Sequence, residues 1–157
     1  MAAPTDRVSI RRAKAEDAPL LETLIRGERV NPFGIDWRNF VVAESHGAPV
    51  GCAQLRPAGP GAGELGSLVV QPGLRRLGLA ARLVDAVLAE AGDRRIFVVT
   101  AAIHAPWYAR WGFRPVAPLA APWPVRRNWL LGQAGSVVAL AQAMRPRRLA
   151  VLERPAA

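Results

Sequence analysis

The residues best placed to do chemistry lie between Glu64 and Glu90, in ELGSLVVQPGLRRLGLAARLVDAVLAE. Leu65 to Val70 reads as an alternating, β-branched strand, and Gln71-Pro72-Gly73 stops it. Leu74, Leu77, Ala81, Val84 and Leu88 then recur at helical spacing, which predicts a helix over Leu74–Ala91. The first backbone N–H groups of a helix have no internal partner, and the helix dipole places partial positive charge beside them. Such a junction suits phosphate. Arg75 and Arg76 add full charges, while Gly78 and Ala80 let a ligand approach the backbone. An ordinary strand–helix unit with solvated arginines fits the same residues, and physics alone does not separate the two readings.

Other elements must position this junction. Val8 to Arg12 reads as a first strand, Asp17 as a helix N-cap, and Leu20, Leu21, Leu24 and Ile25 as the buried stripe of the helix that follows. Asn31-Pro32-Phe33-Gly34 breaks the chain before a strand at Phe40 to Ala43. Ser45 to Pro49 forms a hairpin turn, Val50 to Leu55 the returning strand, and Arg56 to Gly63 a longer loop. Beyond Gly92-Asp93, the apolar run Ile96 to Val99 suits a central strand buried on both faces. A short helix around Ala105 to Trp111 and a strand at Phe113 to Val116 follow. Pro115 to Pro124 reads as a loop, Asn128 to Met144 as a helix broken by Pro146, and Arg148 to Leu152 as a last strand. The pattern alone gives a mixed α/β domain with a helix on each side of a twisted sheet.

Composition narrows the function classes. The 157 residues suit one domain with a real core, and an apolar content of 51% argues against disorder. No apolar run is long enough to span a bilayer, and the N-terminus lacks a signal-peptide core, so a cytoplasmic protein is expected. Cys52 is the only cysteine, which excludes an internal disulfide and a multi-cysteine zinc site; it is expected to be buried and inert. The net charge of +9 is carried by arginine, with Lys14 the lone lysine. The basic residues are scattered, so nucleic acid is not the expected partner.

Two stretches resemble a known family. Val70 to Ala80 resembles the acetyl-CoA-binding motif of the GNAT superfamily of N-acyltransferases: Arg or Gln, two residues, Gly, one residue, then Gly or Ala, here Arg75, Gly78 and Ala80. Tyr108-Ala109-Arg110-Trp111-Gly112-Phe113 resembles the family's Tyr-x-x-x-Gly-Phe element. The resemblance covers residues 7 to 116 and, more loosely, the tail to 153. It implies an α/β, GNAT-type acyl-CoA N-acyltransferase fold: a mixed twisted sheet of about seven strands with helices on both faces. A single domain over residues 1–157 is implied with it. Acetyl-CoA is the implied cosubstrate. Backbone groups of Leu68, Val69 and Val70 would pair with its pantetheine arm, in a cleft where Leu65–Val70 and Arg95–Val99 splay apart. The turn formed by Arg75, Arg76, Leu77, Gly78, Leu79 and Ala80 would take its diphosphate. Arg76 and Leu77 depart from the usual Gly and basic residue, and Ala101 stands where many members carry an asparagine.

The implied reaction is transfer of acetyl from acetyl-CoA to a primary amine, by direct attack in a ternary complex. An alkylamine with a pKa of about 10 is almost fully protonated at neutral pH, so a general base is useful. Glu64, at the head of the strand and on the same face as Gly66 and Leu68, is the candidate; a merely solvated strand-start residue is the alternative. His104, four residues before Tyr108, is the rival base, and His46 in its hairpin turn is expected to be exposed. Tyr108, the only tyrosine, is the candidate acid for the leaving thiolate; packing with Trp107, Trp111 and Phe113 is its plain structural role. Phe33 and Trp37, with Asn31 and Trp123 to Trp129, would shape the side that takes a small-molecule or peptide amine. The tail helix would border that pocket or make a homodimer contact. The other readings are an acyl-CoA-binding regulatory domain without catalysis, and a basic accessory protein on ribosomes or nucleic acid.

Overall fold

Short alternating segments separated by Gly and Pro turns give seven strands: β1 (Val8–Arg12), β2 (Phe40–Ser45), β3 (Ala48–Pro57), β4 (Ala62–Val70), β5 (Arg95–Ala101), β6 (Arg114–Val116) and β7 (Leu149–Arg154). They form one mixed sheet in the order β1-β2-β3-β4-β5-β7-β6. The helices are α1 (Ala18–Arg26), α2 (Leu79–Ala91), α3 (Ala105–Tyr108) and α4 (Trp123–Ala141). The computed structural model describes residues 8–28, 30–141 and 148–156. Met144 and Pro146, expected to end the tail helix, lie outside the described residues. The chain divides into two compact units, one comprising Met1–Leu55 and Leu65–Gly92, the other Arg56–Glu64 and Asp93–Ala157.

In the first unit β1, β2 and β3 run antiparallel, with Val42 opposite Cys52 and Phe40 opposite Gln54. Phe40, Val42 and Cys52 share a face with Val69 and are covered by Leu21 and Ile25 of α1. Gly51 faces the other way: a Cβ there would lie 2.9 Å from the Val69 carbonyl oxygen and 3.4 Å from Leu83 of α2. Only the smallest residue lets β3 run that close to β4 under α2. The β2–β3 turn uses His46 and Gly47, both with positive φ (51° and 81°), which matches the strand twist; His46 is exposed as expected.

Asp17 departs from the expected N-cap. Its side chain makes no cap bond to the helix. It reaches back instead, accepting the Lys14 N–H at 2.7 Å and taking both terminal nitrogens of Arg11 at 2.7 and 3.1 Å. The carboxyl is buried, and this pairing holds it below its ordinary range. The helix over Leu74–Ala91 is also shorter than expected. Pro72–Leu74 is a single 3-10 turn, and positive φ at Arg76 (66°) and Gly78 (78°) keeps the chain out of the helix until Leu79.

In the second unit β7 pairs antiparallel with both β5 and β6. Ile96, Phe97 and Val98 of β5 are buried, as a central strand requires. Phe97 and Val151 pack with Val125 of α4 and with Ala58, Ala62 and Ala121. The tail helix begins at Trp123 rather than Asn128, because Pro124 falls in its first turn, where a missing N–H costs nothing. Among the described residues no helix is long and apolar enough to cross a membrane.

Candidate active site

The turn after β4 is built by backbone geometry. Gly78 is the N-cap of α2, and no side chain caps the helix. The amides of the first turn, Leu79, Ala80 and Ala81, therefore face outward with the helix dipole behind them. A Cβ added at Gly78 would meet nothing within 4 Å among the described residues, and Gly78 is exposed. A helix mouth of this kind fits a diphosphate. Arg76 holds a left-handed conformation that a glycine would adopt without strain, and its side chain is exposed, as is Leu77.

Arg75 does something the motif does not announce. Its Nε donates to the Val70 carbonyl at 2.9 Å and its Nη2 pairs with Glu28. The guanidinium thus braces the end of β4 against Glu28, two residues beyond α1. Val69 and Val70 bury their side chains, while Leu68 is half-buried. Two residues earlier β4 contains a feature that the sequence reading missed. Ser67 has φ of 50° in the middle of a strand, where a non-glycine residue is strained. The adjacent Gly66-Ser67 pair was the available signal, since small residues inside a strand often mark a bulge. Ser67 Oγ donates to Gln54 Oε1 at 3.3 Å, and Gln54 Nε2 donates to the Gly34 carbonyl at 2.8 Å.

Gly34 belongs to the segment that carries the two expected acceptor residues, and the structure treats them differently. Phe33 is 61% exposed. Trp37 is partly buried against the first core, with Arg38 stacked 4.7 Å from its ring centroid. Asn31 Oδ1 accepts the Phe33 N–H at 2.9 Å, and its buried Nδ2 has no hydrogen-bond partner among the described residues. Cys52 is buried as expected, and burial pushes its thiol up to about 12.

The second unit holds the expected proton-handling residues. Glu64 is not a solvated strand-start residue: it is 2% exposed. Asn128 Nδ2 donates to Glu64 Oε2 at 2.7 Å, and Arg56 Nη1 lies 3.5 Å from Oε1. Burial raises the Glu64 carboxyl above its ordinary value, and Arg56 and Asn128 pull the other way. Burial likewise lowers Arg56. Neither Arg56 nor Asn128 was singled out by motif; one lies in a segment read as loop and the other inside a helix.

Tyr108 is buried at the end of α3, edge-on to Trp107 (4.9 Å between centroids) and to Phe113 (5.7 Å). Burial pushes its phenol up to about 12, opposed by a hydrogen bond with Thr100. His104 lies at the N-cap of α3 and is exposed. In the tail, Trp123 is 57% exposed, whereas Trp129 packs on the second core and donates to the Leu149 carbonyl at 3.5 Å.

The model of the acetyltransferase (GNAT) domain matches residues 36–115, just over half of the chain. This chain belongs to the GNAT acetyltransferase family. Solved structures agree on its fold. N-acetylglutamate synthase from Neisseria gonorrhoeae, complexed with coenzyme A and N-acetyl-glutamate, superposes with a TM-score of 0.73 at 24% identity over 96% of this chain and 35% of that one. The present chain thus spans about a third of that synthase. Rv2747 from Mycobacterium tuberculosis, in complex with CoA and NLQ, gives 0.70 at 22% over 95% of this chain and 99% of that one. A GNAT-family acetyltransferase from Staphylococcus aureus gives 0.63 at 18% over 94% and 98%. No curated protein matches the chain.

Proposed function

We propose that this GNAT domain transfers acetyl from acetyl-CoA to a primary amine by direct attack within a ternary complex. The observation that carries the proposal is the exposed, uncapped mouth of α2 behind two left-handed residues. The N–H groups of Leu79 to Ala81 would take the diphosphate, and Arg76 would add an exposed positive charge. Backbone groups of Leu68, Val69 and Val70 would pair with the pantetheine arm as an added strand does, and one N–H would polarise the thioester carbonyl as charge builds on its oxygen. The acceptor nitrogen forms its bond to the carbonyl carbon, the carbon–sulfur bond breaks, and the amine loses one proton while the sulfur gains one.

Glu64 would receive the amine's proton through water, since it is too buried for direct contact. Its upward shift suits this role, because a carboxylate nearer neutrality is a stronger base. Tyr108 would donate to the sulfur. A phenol at about 12 facing a thiol of about 8.5 gives up its proton at a cost of roughly 5 kcal/mol. The phenol therefore serves first as a hydrogen-bond donor to the growing thiolate. Amino acids are the acceptors to test first, because the synthase relative was crystallised with N-acetyl-glutamate.

Calorimetric titration with acetyl-CoA, followed by thiol release with a panel of amines, tests the reading. Absence of acetyl-CoA binding refutes it. Tyr108→Phe keeps the ring packing and is expected to lower kcat at least about tenfold at unchanged acetyl-CoA affinity; an unchanged rate removes Tyr108 from the mechanism.

A further inference from the structure

We infer that Gln54 is a positioning residue for the acceptor: its buried amide ties the Asn31–Asp36 segment, which presents Phe33, to the strained Ser67 of β4. The inference rests on the transferase reading above. Gln54 is fully buried, opposite Phe40 on the apolar face that α1 covers. A carboxamide in such surroundings is costly unless its polar ends are used. One end donates to Gly34, and the other accepts from Ser67. The remaining described side-chain bonds of the segment are local: Asn31 to the Phe33 N–H, and Asp36 to the Arg38 N–H at 3.1 Å and to Arg38 Nη1 at 3.3 Å. Only the Gln54 bond, among these, reaches from the segment into the sheet.

Both anchoring points are backbone positions with positive φ, Gly34 at 69° and Ser67 at 50°. Glycine takes such a φ freely, whereas at Ser67 it persists where the surroundings hold it in place. One amide thus fixes the loop proposed to meet the amine and the strand proposed to meet the thioester. Breaking the loop arm should free Phe33 and weaken amine capture, while the diphosphate seat at α2 stays as it was.

Two variants separate this role from general packing. Gln54→Met keeps length and neutrality but removes both polar ends. Gln54→Glu still accepts from Ser67 and, when ionised, cannot donate to Gly34; a protonated carboxyl there restores the donor, so this variant is read at the alkaline end of the pH range. Each is expected to raise the amine KM about tenfold, with acetyl-CoA KM and kcat within about twofold, as loss of uniform binding requires. Hydrogen exchange of amides 33–36 should accelerate at least about tenfold in both. Ser67→Ala leaves the loop arm intact and should keep amine KM within about twofold. An unaltered amine KM in Gln54→Met, or unaltered exchange in the loop, overturns the inference, as does an equal loss in kcat for all three variants. If the wild-type protein acetylates no amine, the transferase reading has failed, and the exchange measurement still decides whether Gln54 holds the loop.

Discussion

Asn128→Leu tests whether Glu64 is the titrating base. In the wild-type protein the Glu64 carboxylate is buried, accepts one bond from Asn128 at 2.7 Å and faces Arg56 at 3.5 Å. Leucine keeps the γ-branched shape of Asn128 and removes the donor, and its larger volume adds a packing cost that does not depend on pH. A hydrogen bond to a charged group contributes about 1.5–3 kcal/mol, and one pKa unit corresponds to about 1.36 kcal/mol. If most of that bond favours the ionised carboxylate, its loss should move the Glu64 carboxyl about one to two units further up.

The assay is the pH profile of kcat/KM for the free enzyme. Its acid limb should move to higher pH by about one to two units. Stability gives a second readout with a definite sign. The folded carboxyl already titrates above its unfolded value, so its contribution is fully present at acid pH and is lost as pH rises through the folded pKa. The variant raises that folded pKa further. The pH-dependent part of its penalty should therefore be small at pH of about 4 and approach about 2 kcal/mol at about 8. Superimposable acid limbs would remove Glu64 as the base. Equal penalties at both pH values would mean that Asn128 does not act on the carboxylate's charge.

Other perturbations follow from the first unit. Arg76→Gly relieves a left-handed non-glycine residue at φ 66°; the gain, after glycine's larger unfolded-state entropy, should be about 0.5–1 kcal/mol in urea unfolding, and a loss would mean that the Arg76 side chain is structural. Asp17→Asn removes a buried carboxylate that Arg11 and the Lys14 N–H hold below its ordinary pKa. The contribution is present above the unfolded value and lost as pH falls through the folded one, so a penalty of about 2 kcal/mol at neutral pH should fade below about 4; a penalty independent of pH refutes the pairing. Gly51→Ala places a Cβ 2.9 Å from the Val69 carbonyl oxygen. The β4 backbone must shift, with loss of about 2 kcal/mol of stability and weaker acetyl-CoA binding by calorimetry; unaltered affinity would show that this backbone does not carry the pantetheine arm.

The strands were legible because their signals are local, whereas their order in the sheet was not read. β1 was read at its observed bounds, and the apolar Ile96–Val99 run lies within β5. The start of α2 was not, although Gly78 stood in plain view. Leu74 and Leu77 continue the helical period by accident of spacing, while the backbone at Arg76 and Gly78 takes left-handed values that no periodicity reports. Asp17 failed in a related way. An acidic residue before a leucine-rich run is a sound cap signal, but Arg11, six residues back, competes for the same oxygens and wins as a partly buried charged pair.

The candidate site divides along the same line. Candidates defined by residue type and short spacing, such as Tyr108 and Gly78, could be proposed by motif. Residues that act through a distant partner could not: Gln54 reaches Gly34 twenty positions away, and Asn128 meets Glu64 sixty-four positions away. Arg75 lies between these cases. Its place in the motif suggests a phosphate ligand, yet it is engaged with Val70 and Glu28. Diphosphate affinity in this chain should then depend less on the number of arginines at the turn than on the aim of its amides. The end of β4 leads into those amides, so under the proposed function a residue that need never touch the ligand would still govern how well it is held.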